Sequence, residues 1–149
     1  MTVGKVCNRQ VTVVDLDESI DEAVNLMRRH HVGDVVVTRR EPDGIKPVGI
    51  LTDRDIVIEV LAEEVSLSAV GIKDVMSSEL LTSTESDSIF DTIKRMRTKG
   101  VRRMPVVDSK GCLVGIFTLD DAIDMICELL GDVVVTMKSG FNRERRKLD

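Results

Sequence analysis

Residues 45–61 read IKPVGILTDRDIVIEVL, and residues 112–129 read CLVGIFTLDDAIDMICEL. Both carry an apolar run into Gly, two large apolar residues, Thr, two further residues and Asp. Thr52 and Asp55 of the first copy match Thr118 and Asp121 of the second. A chain that repeats such a unit is expected to consist of two like halves facing each other, with function in the groove between them. Each half would be marginal alone, because a unit of about 60 residues buries too little surface.

The match extends beyond this segment. VGKVC at 3–7 aligns with IKDVM at 72–76, Met27 with Met96, and HHVGDVVV at 30–37 with the stretch at 99–106, all at an offset of 69. At Thr52 and Thr118 the offset is 66, so the first copy carries a three-residue insertion. The stretch 39–47 absorbs it, and Pro42, Asp43, Gly44 and Pro47 mark a surface hairpin loop there.

Each copy predicts the same elements. A short strand lies near 11–14 or 80–83, and a helix then starts at Ser19 or Ser88. Ser19 with Glu22 is a capping box, and Ser88 with Asp91 is its acidic variant. Ile20, Ala23, Val24 and Met27 recur on one helical face, as do Ile89, Ile93 and Met96. Two hairpin strands follow, 34–38 with 48–51 and 104–107 with 113–117, turning at Asp43-Gly44 and Lys110-Gly111. A second helix follows each motif, carrying Ile56, Val57 and Val60 or Ala122, Ile123, Ile126 and Leu130. The order β-α-β-β-α implies an α/β fold of the two-layer α+β kind. The expected units are residues 2–63 and 70–132, joined by a short link within 62–71. GDVVVT at 33–38 recurs out of register at 131–136. Residues 133–149 are therefore expected to form a C-terminal strand and turn, at Ser139-Gly140, ending in an exposed basic tail.

Composition excludes several classes. Aromatics are three Phe with no Tyr or Trp, which rules out a stacking platform for single-stranded nucleic acid. A formal charge of −5 repels phosphate backbones, so no nucleic-acid partner is expected. No apolar run approaches the ~20 residues that span a bilayer, so no membrane partner is expected. Three cysteines without metal-ligand spacing suggest reduced thiols and a cytoplasmic location. Cys7 and Cys127 fall at apolar positions and are expected to be buried. No catalytic set is present: His30 and His31 are adjacent, and no P-loop or nucleophile elbow occurs. Asp53 and Arg54 become Leu119 and Asp120 in the second copy, so no acidic metal pair repeats. Neither catalysis nor a metal is expected.

Taken alone, Thr-x-x-Asp is a capping box, with Thr at the N-cap and Asp three residues on. The whole pattern is more specific. Gly49–Asp55 and Gly115–Asp121, VRRMPVVD at 101–108, the Ser-led helix before it and the unit spacing together resemble a tandem pair of CBS domains, the Bateman module, as a stand-alone protein. The resemblance covers about residues 2–132. The first copy departs from it: GDVVVT lacks the Pro, and Asp34 stands where the second copy has Arg103.

The resemblance implies two units packed by pseudo-twofold symmetry, with one cleft per motif. It implies that Asp55 and Asp121 hold ribose hydroxyls of an adenosyl ligand and that Thr52 and Thr118 hold ribose or phosphate. Arg103 would contact phosphate, with Arg54 also within reach; strand alternation sends Arg102 to the other face. Met104 and Pro105 would help sandwich adenine, which Ser83 and Thr84 would touch. The chemistry suits these roles: a carboxylate accepts two bonds from vicinal hydroxyls, and a guanidinium forks onto phosphate. With Asp34 as the counterpart of Arg103, the second-copy cleft is expected to favour phosphorylated ligand.

The function so implied is a regulatory module sensing AMP, ADP, ATP or NAD, with no cofactor required. The alternative is a structural homodimerisation or protein-interaction module with empty clefts. A homodimer is expected through helix faces carrying Val24, Met27, Ile93, Met96, Ile56, Val60, Ile123, Ile126 and Leu130.

Overall fold

The computed structural model describes residues 1–148. The first unit contains α1 (Val3–Val6), β1 (Val13–Asp15), α2 (Ile20–His30), β2 (Asp34–Glu41), β3 (Gly44–Thr52) and α3 (Asp53–Ile56), which runs on as a π-helical turn over Val57–Leu61. A 3-10 turn at Leu67–Ala69 leads to the second unit: α4 (Ile72–Val75), β4 (Ser83–Thr84), α5 (Ile89–Lys99), β5 (Arg103–Val107), β6 (Leu113–Thr118) and α6 (Leu119–Leu148). Asp149 lies outside the described residues.

Strand pairing reproduces the two offsets. Each unit has a three-stranded sheet whose first strand runs parallel to the second and whose second and third form an antiparallel hairpin. Val14 pairs with Val37, and Ser83 with Val106; Val37 pairs with Gly49, and Val106 with Gly115. The register shifts after Val37 in one hairpin and after Val106 in the other, so even the bulge is repeated. The three extra residues lengthen the first hairpin, whose two-residue turn is Pro42–Asp43. Its tip is not free: the Cys112 thiol donates to the Asp43 carbonyl at 3.2 Å.

The units exchange their leading segments. Val3 and Cys7 are buried with Ile89, Met96, Met104, Val106 and Phe117 in the second core. Ile72 and Val75 are buried with Val14, Ile20, Val35, Val37 and Leu51 in the first. Burial pushes the Cys7 thiol pKa up. The stretch after each short helix then pairs with the other unit's hairpin: Asn8 bridges Ile116, and Ser77 bridges Ile50. The expected units 2–63 and 70–132 are thus units of sequence, and in space each core borrows about one helical turn from the other.

This exchange explains the glycine of the repeated motif. A Cβ on Gly49 would lie 2.6 Å from Met76 Sδ and 2.7 Å from the Ser77 carbonyl oxygen. On Gly115 it would lie 2.9 Å from Cys7 Sγ and 3.0 Å from the Asn8 carbonyl oxygen. Gly49→Ala is therefore expected to cost about 1–3 kcal/mol through overpacking against backbone that cannot yield. Gly131→Ala, with nothing within 4 Å of its Cβ, should instead raise the thermal midpoint slightly. Equal midpoints for the two variants would contradict the close approach.

Several expectations change. The first strands sit later than 11–14 and 80–83, over Val13–Asp15 and Ser83–Thr84, because the exchanged lead crosses to the other unit first. Ser19 caps α2 by accepting from Glu22 N at 3.1 Å, but the Ser88 side chain makes no capping bond. Ser88 bridges Thr2 instead, and Ile89 N donates to the Met1 carbonyl. The expected strand at 131–136 and turn at Ser139-Gly140 are helical: α6 runs unbroken over 30 residues. Valine's low helix propensity costs only tenths of a kcal/mol per residue, whereas helix propagates cooperatively from Leu119 and no strand edge lies alongside. Cys127 is exposed, not buried, because it lies on the part of α6 that leaves the core. Of the expected dimer face, Met27, Met96, Ile56 and Val60 are buried in their own cores, and Val24, Ile123, Ile126 and Leu130 remain exposed.

Candidate functional site

Both motifs sit where the last hairpin strand becomes a helix. Thr52 ends β3, and its hydroxyl accepts from Asp55 N at 3.0 Å; Asp55 Oδ2 accepts from Thr52 N at 3.0 Å. Thr118 and Asp121 repeat this box at 3.1 and 2.8 Å, with one addition: the Thr118 hydroxyl also donates to Asp121 Oδ2 at 2.8 Å. The capping reading therefore holds at both motifs. The two carboxylates differ in what remains. Asp121 Oδ2 takes two bonds and engages its threonine's proton, whereas the Thr52 proton is uncommitted among the described residues. Asp55 Oδ1 has no donor among them either.

The surroundings differ more. A cleft of ≈ 380 Å³ opens beside Thr52, Arg54 and Asp55. Ile50, Leu80, Leu81 and Val101 give it apolar walls, and Arg102 and Arg103 close one side. Ser77, Glu79 and Gly100 complete the lining. Two features of the fold bring these pieces together. The Ser77–Ile50 bridge lays residues 77–81 along the first unit's motif. Gly100, left-handed at φ 67°, ends α5 and turns the chain so that Val101–Arg103 come up beside it.

The cavity at the second motif is smaller and differently lined. Thr118 borders a cavity of ≈ 170 Å³ with Arg102, Arg103, Leu119 and Asp120, and Asp121 does not line it. The counterparts of Leu80, Leu81 and Val101, namely Val11, Thr12 and Val32, line a separate open depression with Leu26 and His30. The charge at the helix start is also inverted, Arg54 in one unit and Asp120 in the other.

The sequence groups Arg103 with Thr118 and Asp121. In the structure it opens β5 opposite Thr118, yet it also lines the Thr52–Asp55 cleft and forms an ion pair with Asp34. Asp34 and Arg103 occupy equivalent positions in the two units and meet between them. Asp34 is thus a partner of the guanidinium rather than an unopposed repulsion in the first cleft. The expected preference of the second cleft for phosphate loses its basis, because the site is assembled from both units and the sequence grouping took each unit separately. Burial is the largest influence on the Arg103 pKa and lowers it, and Asp120 acts the other way. The guanidinium remains charged at any physiological pH.

Arg102, expected on the opposite face, also lines the cleft, because β5 begins only at Arg103 and strand alternation does not apply before it. Ser83, Thr84, Met104 and Pro105 do not line the cleft. Met104 is fully buried in the second core, and Pro105 is buried beside it in β5. The Ser83 hydroxyl is buried without a partner, and Thr84 donates to Asp87 at 2.6 Å within a turn. Glu79, Leu80, Leu81 and Val101 were missed. The one pointer to them was Gly within an apolar strand, which signals close backbone approach by another segment. Among the described residues no three His, Cys, Asp or Glu cluster as a metal site requires. No helix is long and apolar enough to cross a membrane.

The family model for the CBS domain matches residues 3–62 and again residues 72–128. The chain belongs to the CBS domain family. It is a CBS pair. It is 36% identical over 112 residues to the CBS domain-containing protein YhcV of Bacillus subtilis, covering 75% of this chain and 76% of that one. It is 33% identical over 138 residues to an uncharacterized protein, MK0525, of Methanopyrus kandleri, covering 93% and 69%. The CBS pair of protein MJ0100, solved in complex with 5'-methylthioadenosine and S-adenosyl-L-methionine, superposes with a TM-score of 0.70 at 25% identity, covering 89% of this chain and 97% of that one.

Proposed function

We propose that this CBS pair is a non-catalytic sensor that binds a phosphorylated adenosyl compound, AMP, ADP, ATP or NAD, in the cleft beside Thr52 and Asp55. The observation that carries this reading is the composition of that one cleft. A carboxylate with a free oxygen, four apolar side chains and three arginines converge there. Asp55 Oδ1 accepts from the ribose hydroxyls, while Oδ2 stays in the cap. Ile50, Leu80, Leu81 and Val101 enclose adenine without an aromatic shelf. Arg54, Arg102 and Arg103 meet phosphate oxygens. The adenosyl ligands of the MJ0100 pair support the class of ligand. The arginines favour a phosphorylated member of it.

Both units line the cleft, so a bound ligand ties them together and stabilises the folded pair by mass action. In a thermal-shift series AMP should raise the unfolding midpoint more than adenosine or S-adenosylmethionine does. A flat response to AMP, ADP, ATP and NAD alike, up to millimolar concentration, would leave an interaction module with an empty cleft.

A further inference from the structure

The cleft wall formed by Leu80 and Leu81 has less strand support than the same segment of the first unit. There, Val36 N donates to the Thr12 carbonyl at 3.0 Å, and β1 starts at Val13. In the second unit Leu81 stands in the place of Thr12 and Pro105 in the place of Val36. Proline has no N–H, so Pro105 cannot donate to the Leu81 carbonyl. The ladder is one residue shorter, and β4 starts only at Ser83. At its other end the wall is tied to the first unit by the Ser77–Ile50 bridge, with N···O distances of 2.9 and 3.2 Å.

Arg95 supplies the tie that Pro105 removes. It projects from α5, and its Nη2 donates to the Thr82 carbonyl at 2.5 Å, one residue past Leu81. Its Nη1 donates to Asp87 Oδ2 at 3.1 Å. Asp87 is itself fixed, because it accepts from the Thr84 hydroxyl at 2.6 Å and from Thr84 N at 3.1 Å. The Thr84 hydroxyl, more than Arg95, holds the Asp87 carboxyl below the usual carboxylate range, so the ion pair persists through physiological pH. A guanidinium with both arms engaged is held in one orientation. The first unit has Leu26 at the position of Arg95 and Glu18 at that of Asp87. Leu26 has no donor, and it lines the open depression there with Val11 and Thr12. The tie is thus made in the unit whose leading segment walls the Thr52–Asp55 cleft.

We propose that Arg95 is a positioning residue for this cleft. By holding the Thr82 carbonyl it fixes Leu80 and Leu81, before any ligand arrives, in the place they take against adenine; the proposal rests on the adenosyl reading of the cleft. A wall already in place spares binding the cost of ordering it. Loss of the tie therefore lowers affinity without removing a contact to the ligand.

Arg95→Leu installs the first unit's residue. It should lower the affinities for adenosine and AMP by the same factor, roughly threefold to tenfold, since the adenine wall serves both. Arg95→Lys should recover part of the loss, because an ammonium can still donate to the Thr82 carbonyl. Arg9→Ala is the control for stability alone. Arg9 pairs with Glu85 at 2.6 Å and donates to the Gly4 and Val114 carbonyls at 2.9 and 3.3 Å, and none of these residues lines the cleft. That variant should lower the thermal midpoint and leave both affinities in place. Calorimetric titration well below each unfolding midpoint reads the affinities. If the wild type binds, the proposal alone is overturned by an unchanged Arg95→Leu, a loss confined to AMP, no recovery with lysine, or an equal loss in Arg9→Ala. A wild type that binds neither adenosine nor AMP would sink the nucleotide reading and the proposal together.

Discussion

Arg103→Ala should lower AMP affinity by roughly tenfold to 150-fold and adenosine affinity far less. A charge-assisted bond is worth about 1.5–3 kcal/mol, and only AMP has the phosphate that uses it. The ion pair with Asp34 adds two consequences. Removing the guanidinium leaves a carboxylate that is only 16% exposed without its partner, so stability should fall by about 1–3 kcal/mol. Replacing the other partner, Asp34→Asn, should move affinity the opposite way, because Arg103 is then free of a competing anion. It too should cost stability, and Arg103→Ala combined with Asp34→Asn should cost less than the single changes predict. Calorimetric titration of both ligands, with denaturant melts of the four proteins, reads all of this. Equal losses for AMP and adenosine would remove Arg103 from the phosphate end of the cleft.

Asp55→Asn should weaken AMP and adenosine together, by a similar tenfold to 150-fold, because the ribose is common to both. Asparagine keeps much of the capping role, so the fold should change little. Asp121→Asn should shift the same affinities only slightly: its Oδ2 is already held twice by Thr118, and it does not line the cavity beside Thr118. The opposite ranking would move the ligand to the second motif.

The repeat made much of this architecture legible. A constant offset of 69, falling to 66 after a hairpin loop, fixes which residues are equivalent, and the strand pairs obey it to the residue. Thr52, Asp55 and Arg54 were identifiable because a strand running into a capped helix is a local arrangement, written in consecutive residues. The far wall of the cleft was not. Glu79, Leu80, Leu81 and Val101 reach it through an exchange between units, and only two glycines hinted at such a crossing. Met104 and Pro105 were misplaced for the complementary reason. They sit in the strand that begins with Arg103, but pleating and burial turn them into the second core.

The same division runs through α6. GDVVVT reads as a strand because three valines in a row favour extended backbone wherever a sheet edge is offered. No edge is offered beyond Ile126, so the helix begun at Leu119 continues. Local interactions in the sequence determined the repeat, the caps, the hairpins and the half of the cleft built on Thr52–Asp55. The tertiary structure alone decided which unit contributes which wall, because exchange, ion pairing between Asp34 and Arg103, and the absence of a neighbouring strand are contacts between residues far apart in the chain.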